Sequence, residues 1–268
     1  MADFKLIALD LDGTLNNTYK TITPDTKKAL LRAQEQGIKI VLASGRSMPG
    51  LLEEARELEL ERYQGHLISY NGAMVYSMSD HSTLLSRPIP RELSARLLKI
   101  ISPYSVTPIV DDGIHLYTDQ PEDPYVKYEL ANNHLALKVI ASIPDTITFS
   151  PHKILLDGDE QILCKVKKEV AGHFQGTLDF NFSAPDNLEI TLPGVSKGSS
   201  LQFLADTLAI PAGKIIAFGD GDNDVSMFQY AGLGVAMANA SAAAKAAATM
   251  LTRSNDEDGI AHALAKLI

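Results

Sequence analysis

Short apolar runs recur along the chain, and each stops abruptly at a polar turn. Leu6–Leu9 gives way to Asp10-Leu11-Asp12-Gly13-Thr14, residues 38–43 to Ser44-Gly45-Arg46, and residues 66–70 to Asn71-Gly72. Runs of this length without polar alternation predict strands buried on both faces, as in a parallel sheet. Helical patterns separate them. Thr23-Pro24-Asp25 offers an N-cap, a proline at the first helical position and an early acid; Ala29, Leu30 and Ala33 supply an apolar stripe, and Gly37 ends it. A second helix is expected over residues 51–60. Strand and helix alternating at this spacing predict right-handed crossovers, with functional residues at the C-terminal ends of the strands.

The rhythm changes between about Ser82 and Asp186, where prolines at 88, 90, 103, 108, 121, 124, 144 and 151 break the pattern into short pieces. It returns after Asn187, with strands expected at 188–192, 214–218, 234–237 and 249–252 and helices at 199–208 and 224–230. The expected organisation is therefore a discontinuous core, residues 1–82 and 188–268, interrupted by an inserted domain at 83–187. The alanine-rich stretch 240–248 reads as a helix, and there is no internal repeat.

Composition narrows the class of protein. With 268 residues, 45% hydrophobic and 21% charged, the chain is neither disordered nor fibrous. Its net charge of −9 argues against a nucleic-acid partner, because nothing supplies the positive field that a phosphate backbone requires. Cys164 is the sole cysteine, which excludes an intramolecular disulfide and a cysteine-rich zinc site; a small buried apolar role is expected for it. The start, Met1-Ala2-Asp3-Phe4-Lys5, lacks the features of a signal peptide, and no apolar run approaches the roughly 18 residues of a membrane span, so a cytoplasmic protein without a membrane partner is expected. Oligomeric state is left open.

The chemistry concentrates in carboxylates. Asp10 and Asp12 sit two apart at one strand end, and Asp220, Asp222 and Asp224 follow another buried run, Ile215-Ile216-Ala217-Phe218-Gly219. A single Asp-Gly usually marks a turn. Two clusters after two apolar strands point instead to a divalent cation, because like charges held close are costly unless a metal or a shared proton offsets them, and hard oxygen ligands suit magnesium.

Read in order, Asp10-Leu11-Asp12-Gly13-Thr14-Leu15, Ser44-Gly45-Arg46, Lys197-Gly198 and Gly219-Asp220-Gly221-Asp222-Asn223-Asp224 resemble the four motifs of the haloacid dehalogenase superfamily, in particular its Cof-like phosphatases with a large α/β cap of the IIB type. The likeness extends to Asn71-Gly72-Ala73, Met237-Ala238-Asn239-Ala240 and Asp258-Gly259. The resemblance implies an α/β fold, a Rossmann-like parallel-sheet core with an inserted α/β cap, and a Mg2+-dependent phosphatase acting on small phosphorylated metabolites such as sugar or cofactor phosphates. It also assigns roles. Asp10 is the implied nucleophile that forms an aspartyl-phosphate, and Asp12 the acid/base that protonates the leaving alcohol and later accepts a proton from water. By the same resemblance, magnesium would be held by Asp10, by the backbone carbonyl of Asp12 and by Asp220, with Asn223 and Asp224 ordering the ligands. Ser44, Gly45, Arg46 and Lys197 bind the phosphoryl group; for Arg46, contact with phosphate and bracing of the loop stay open. The same resemblance implies that the cap, about 83–187, closes over the site and reads the organic part of the substrate. Candidate readers there are Asp111, Asp112, His115, Tyr117, Tyr125 and Tyr128, although an isolated tyrosine or histidine is more often a packed amphipathic residue.

Other readings use fewer of these residues. Gly194-Val195-Ser196-Lys197-Gly198 matches a G-x-S-x-G elbow and is followed by Asp220 or Asp224 and by His262, the order of an α/β-hydrolase with Ser196 as nucleophile. That reading leaves the Asp10 motif without a purpose. No G-x-x-x-x-G-K-[ST] occurs, and Gly219-x-Gly221 continues into acids where a dinucleotide fold wants glycine. A receiver-like signalling module and a sugar phosphomutase would use similar acids; turnover and the product formed separate them.

Overall fold

Four apolar residues, all buried, form β1 (Leu6–Leu9) in the interior of the first sheet. The computed structural model describes residues 3–268, and the chain continues through α1 (Pro24–Glu35), β2 (Lys39–Ala43), α2 (Leu52–Glu57), β3 (His66–Ser69), β4 (Met74–Ser77) and β5 (Ser82–Ser86). Next come α3 (Arg91–Ile101), β6 (Thr107–Asp111), β7 (His115–Thr118), α4 (Pro124–Asn133), β8 (Ala136–Val139), α5 (Ile143–Thr146), β9 (Ile154–Asp157), α6 (Glu160–Val170), β10 (Asp179–Ala184) and β11 (Asn187–Thr191). The last stretch holds α7 (Lys197–Thr207), β12 (Ile215–Gly219), α8 (Val225–Tyr230), β13 (Leu233–Ala236), α9 (Ala242–Ala247), β14 (Met250–Leu251) and α10 (Gly259–Leu267). None of the described helices is long and apolar enough to cross a membrane.

The chain divides into two units. The first comprises the chain up to Gly45, Leu51–Leu85 and Ser196–Ile268; the second comprises Arg46–Gly50 and Ser86–Val195. The first is built on an eight-stranded sheet in the order β14-β13-β12-β1-β2-β3-β4-β5. From β14 to β3 every neighbouring pair is parallel, and β4 turns back antiparallel on β3. Both β1 and β12 are buried along their whole length, which is why they read as unbroken apolar runs. The predicted start of α1 is present: Pro24 is its first residue and the Thr23 hydroxyl accepts from the Thr26 N–H.

The second unit carries a six-stranded sheet, β10-β11-β9-β6-β7-β8. Its strands alternate. Ile154 and Leu156 of β9 join Leu97, Leu98 and Ile101 of α3 and Leu163, Val166 and Val170 of α6 in one core, whereas Leu155 packs with Ile109, Leu116 and Val126 of α4.

Two expectations change. The strand expected at 188–192 as the return of the core is β11, and it pairs antiparallel with β9 and β10 in the second sheet. Buried Leu188 and Ile190 would suit either sheet, so the apolar pattern does not choose between them. Cys164, expected inside, is exposed. Its helix turns Leu163, Val166 and Val170 inward, and Cys164 falls on the other face.

His66 in β3 is 5% exposed, and its Nδ1 has no hydrogen-bond partner. Burial first, then the charge of Lys39, lowers its pKa from 6.5 to about 4. The unfolded chain therefore binds a proton near pH 6.5 that the folded chain refuses until about pH 4, so stability rises with pH across that window. At about 1.4 kcal/mol per pKa unit the contribution is about 3 kcal/mol. Urea unfolding of His66→Leu between pH 4 and 7 is expected to show a pH dependence smaller by about that amount.

Candidate active site

The site follows from the register of three neighbouring strands. Leu9 lies opposite Phe218 in parallel β12 and opposite Leu42 in parallel β2, so Asp10, Asp220 and Ser44 emerge from the same end of the sheet. The Asp10 N–H continues the ladder by donating to the Phe218 carbonyl at 3.1 Å. The chain then turns at Gly13, whose φ of +82° suits glycine, and a Cβ there would lie 2.4 Å from Asp220 Oδ2. That close approach lets Thr14 donate from its hydroxyl to Asp220 Oδ1 at 2.7 Å.

Lys197 is the first residue of α7, after Ser196, which caps the helix. A Cβ on Gly198 would lie 2.2 Å from the Ser226 carbonyl oxygen, so glycine allows the start of α7 to press against α8. Lys197 is thereby buried, 1% exposed, and its ammonium donates to Asp10 Oδ1 at 2.6 Å and to Asp224 Oδ1 at 2.7 Å. Asp224 is fully buried, and its other oxygen accepts from the N–H groups of Asp220 and Gly221, both at 2.9 Å. It holds the lysine and the loop together.

One oxygen from each of Asp10, Asp220 and Asp224 lies within 4.8 Å of the others. Burial, then the charge of Asp224, pushes the Asp10 pKa well above the usual carboxylate range, and Lys197 opposes this. Burial also raises that of Asp220, against the hydrogen bond from Thr14. For Lys197 burial acts to lower the pKa, but Asp10 and Asp224 outweigh it and hold it above the lysine range. Three carboxylates facing one ammonium leave two negative charges uncompensated when all are ionised. Hard oxygen donors with a surplus of negative charge fit a hard divalent cation.

The remaining sequence candidates lie as follows. Ser44 is buried; its N–H donates to the Ile68 carbonyl at 2.9 Å and its carbonyl accepts from the Asn71 N–H at 3.0 Å. Gly45 lies against the Asn71 side chain, whose Oδ1 accepts from Asn223 Nδ2 at 2.9 Å. Tyr70 and Asn71 both have φ above +50°, an uncommon backbone for side-chain-bearing residues. Arg46 donates to the carbonyls of Gly50 and Asn132 at 3.2 and 3.3 Å. Asp12 is partly exposed, and its Oδ1 accepts from Lys20 Nζ at 2.6 Å. Asp112 accepts from the N–H groups of Ile114 and His115 and from the Tyr117 hydroxyl, so these residues build the turn between β6 and β7. The Tyr125 and Tyr128 rings pair 5.5 Å apart.

Sequence reasoning missed Thr14, Asn71 and Lys20 as side chains of the site. Thr14 and Asn71 stand within the motifs, which is a signal; for Lys20 there is none, because its contact with Asp12 depends on how a loop folds back.

Ser196 is occupied by its helix: its hydroxyl accepts from the Ser199 N–H at 3.0 Å, and Ser199 Oγ accepts from the Ser196 N–H. Asp220 and Asp224, the acids a serine triad would need, are engaged with Thr14 and with Lys197. His262 is half-buried on α10. Ser196→Ala is expected to cost about 1 kcal/mol in urea unfolding, as the loss of a helix cap does, with turnover nearly unchanged.

Residues 7–264 match the family model described as haloacid dehalogenase-like hydrolase. The crystal structure of a haloacid dehalogenase-like hydrolase from Bacteroides thetaiotaomicron superposes with a TM-score of 0.93 at 36% identity, covering 99% of this chain and 100% of that one. The structure of the subclass IIB sugar phosphatase BT4131 superposes with a TM-score of 0.84 at 25% identity, covering 98% of each chain. The 5-amino-6-(5-phospho-D-ribitylamino)uracil phosphatase YcsE of Bacillus subtilis is 28% identical over 274 residues, 98% of this chain and 95% of its own. With the ordered motifs, the parallel sheet and the acidic cluster at its strand ends, these matches have one meaning: the chain belongs to the haloacid dehalogenase-like hydrolase family.

Proposed function

We propose that this protein is a magnesium-dependent, cytoplasmic phosphatase that hydrolyses small phosphorylated metabolites through an aspartyl-phosphate on Asp10. The observation that carries the reading is the cluster of buried Asp10 and Asp224, both paired with the Lys197 ammonium, and half-buried Asp220 at the ends of β1 and β12. Phosphoryl transfer needs a placed nucleophile, a proton donor for the leaving oxygen and positive charge around the moving group. Asp10, buried and tied through one oxygen to Lys197, presents a fixed carboxylate for attack at phosphorus. As its bond to phosphorus forms and the ester P–O bond breaks, Asp12 gives its proton to the leaving alcohol. Asp12 then takes a proton from water, whose oxygen displaces Asp10. Ser44 and Lys197 stabilise the phosphoryl oxygens throughout.

The Asp10 carboxylate, the Asp12 carbonyl and Asp220 would hold magnesium, with Asn223 and Asp224 ordering these ligands. Bound there, the cation would neutralise charge between the phosphate and the carboxylates. The second unit, in place of the simple 83–187 insertion, is the substrate-reading cap. The named relatives support a small organic phosphate, since one is a sugar phosphatase and another removes phosphate from a ribitylaminouracil.

The test is phosphate release from a panel of sugar and cofactor phosphates and a chromogenic aryl phosphate, with magnesium and with chelator. Magnesium-dependent release is expected. Conversion of a sugar phosphate to an isomer without free phosphate would overturn the reading in favour of a mutase.

A further inference from the structure

The segment after Gly13 folds back over the motif it belongs to. Asp12 bridges to Asn16, and Asn16 bridges to Ile22. Between them the chain makes a tight turn organised by Asn17, whose Oδ1 accepts from the N–H groups of Tyr19 and Thr21 and from the Thr21 hydroxyl at 2.9 to 3.1 Å. The Asn17 N–H donates to the Thr21 carbonyl, and the Lys20 N–H donates to the Asn17 carbonyl at 2.9 Å. Lys20 sits in this turn with a φ of +61°, a left-handed backbone that costs a side-chain-bearing residue more than glycine.

The turn is fastened from outside. Thr18 gives two hydrogen bonds to the Asp256 carboxylate, at 2.8 and 2.7 Å, and Asn255 Nδ2 donates to the Asn16 carbonyl at 3.0 Å. Asn16 Nδ2 donates to Glu54 Oε1 at 2.6 Å, and Asn239 Nδ2 donates to the Gly13 carbonyl at 2.8 Å. A strained backbone persists where its surroundings over-determine it, and such strain gathers at functional sites. Here it delivers one side chain, the Lys20 ammonium, 2.6 Å from Asp12 Oδ1. Both side chains are partly exposed, so solvent screens the pair and stability does not explain why the loop is built this way.

We infer that Lys20 is a positioning residue: its ammonium, set by the strained turn, fixes the orientation of the Asp12 carboxyl from which the leaving alcohol receives its proton. This rests on the phosphatase reading above. Lys20 gains and loses no proton. The proton moves from Asp12 to the alcohol oxygen as the ester bond breaks, and Lys20 determines where that carboxyl stands.

The effect must depend on how much the leaving group needs a proton. The parameter kcat/KM covers the steps through alcohol release, so it is measured for full-length wild type, Lys20→Gln and Lys20→Arg with magnesium. The two substrates are a hexose phosphate that the wild type turns over and 4-nitrophenyl phosphate, whose leaving group departs without a proton. For Lys20→Gln, kcat/KM is expected to fall roughly tenfold on the hexose phosphate and to stay within about twofold on the aryl ester. Lys20→Arg should recover most of the loss, and circular dichroism should be unchanged in both variants. Equal loss on both esters would mean a merely structural role, and no loss on either would mean no role; each overturns the assignment while the wild-type activity stands. A wild type that releases phosphate from none of a panel of hexose phosphates and from no 4-nitrophenyl phosphate would overturn the phosphatase reading and this assignment with it.

Discussion

Asp10→Asn is expected to leave a folded protein whose phosphate release falls by roughly 10^4-fold or more, because the amide keeps the shape of the side chain and loses the nucleophile. The reason for expecting the fold to survive is specific. Asp10 is buried, beside Asp224 and Asp220, and only Lys197 favours its charge. Removing that charge relieves repulsion, while the amide oxygen can still accept from Lys197 Nζ. In chelator the thermal midpoint of the variant should therefore equal or exceed that of wild type. Added magnesium should raise the wild-type midpoint more than that of the variant, because a ligand that binds only the folded state stabilises it in proportion to its affinity. Near-normal turnover in a folded Asp10→Asn protein would remove the proposed mechanism.

Lys197→Met is expected to fail in both stability and activity. The lysine places its ammonium between two buried carboxylates, so its loss leaves Asp10 and Asp224 facing each other without that counter-charge. Breaking a buried ion pair by removing one member costs about 3–5 kcal/mol, chiefly through the charge left behind. Urea unfolding should show that loss, and adding Asp224→Asn to the same chain should restore part of it, since one stranded charge is then gone. Activity should not return with stability: the double variant still lacks positive charge on the phosphoryl oxygens. An additive double variant, with no recovery of stability, would show that Asp224 and Lys197 are not coupled as their 2.7 Å contact implies.

Much of the core was legible because both of its signals are local. A buried parallel strand writes itself as an unbroken apolar run, as in Leu6–Leu9 and Ile215–Gly219, and the residue after it falls at the end of the sheet whatever the rest of the chain does. The Asp10 motif and the second acidic cluster follow two such strands. The G-x-S-x-G match shows the opposite hazard: five residues fitted a second enzyme class, and the hydrogen bonds of Ser196 within its own helix cap, with Asp220 and Asp224 engaged elsewhere, set that match aside.

The sequence by itself determined that strands and helices alternate, that acids follow two buried strands, and that the alternation is interrupted after about residue 82. These depend on the period of apolar residues and on turn chemistry, which act over a few residues. Tertiary structure alone decided that β11 joins the second sheet, that Arg46–Gly50 belongs to the second unit, that Cys164 faces outward, and that Lys20 meets Asp12. It also placed Lys197 between Asp10 and Asp224, 187 and 27 residues away along the chain. The physical reason is the same in each case: strand partners, helix facing and ion pairs between distant segments are chosen by competing long-range burial, and no local pattern of residues encodes which competitor wins.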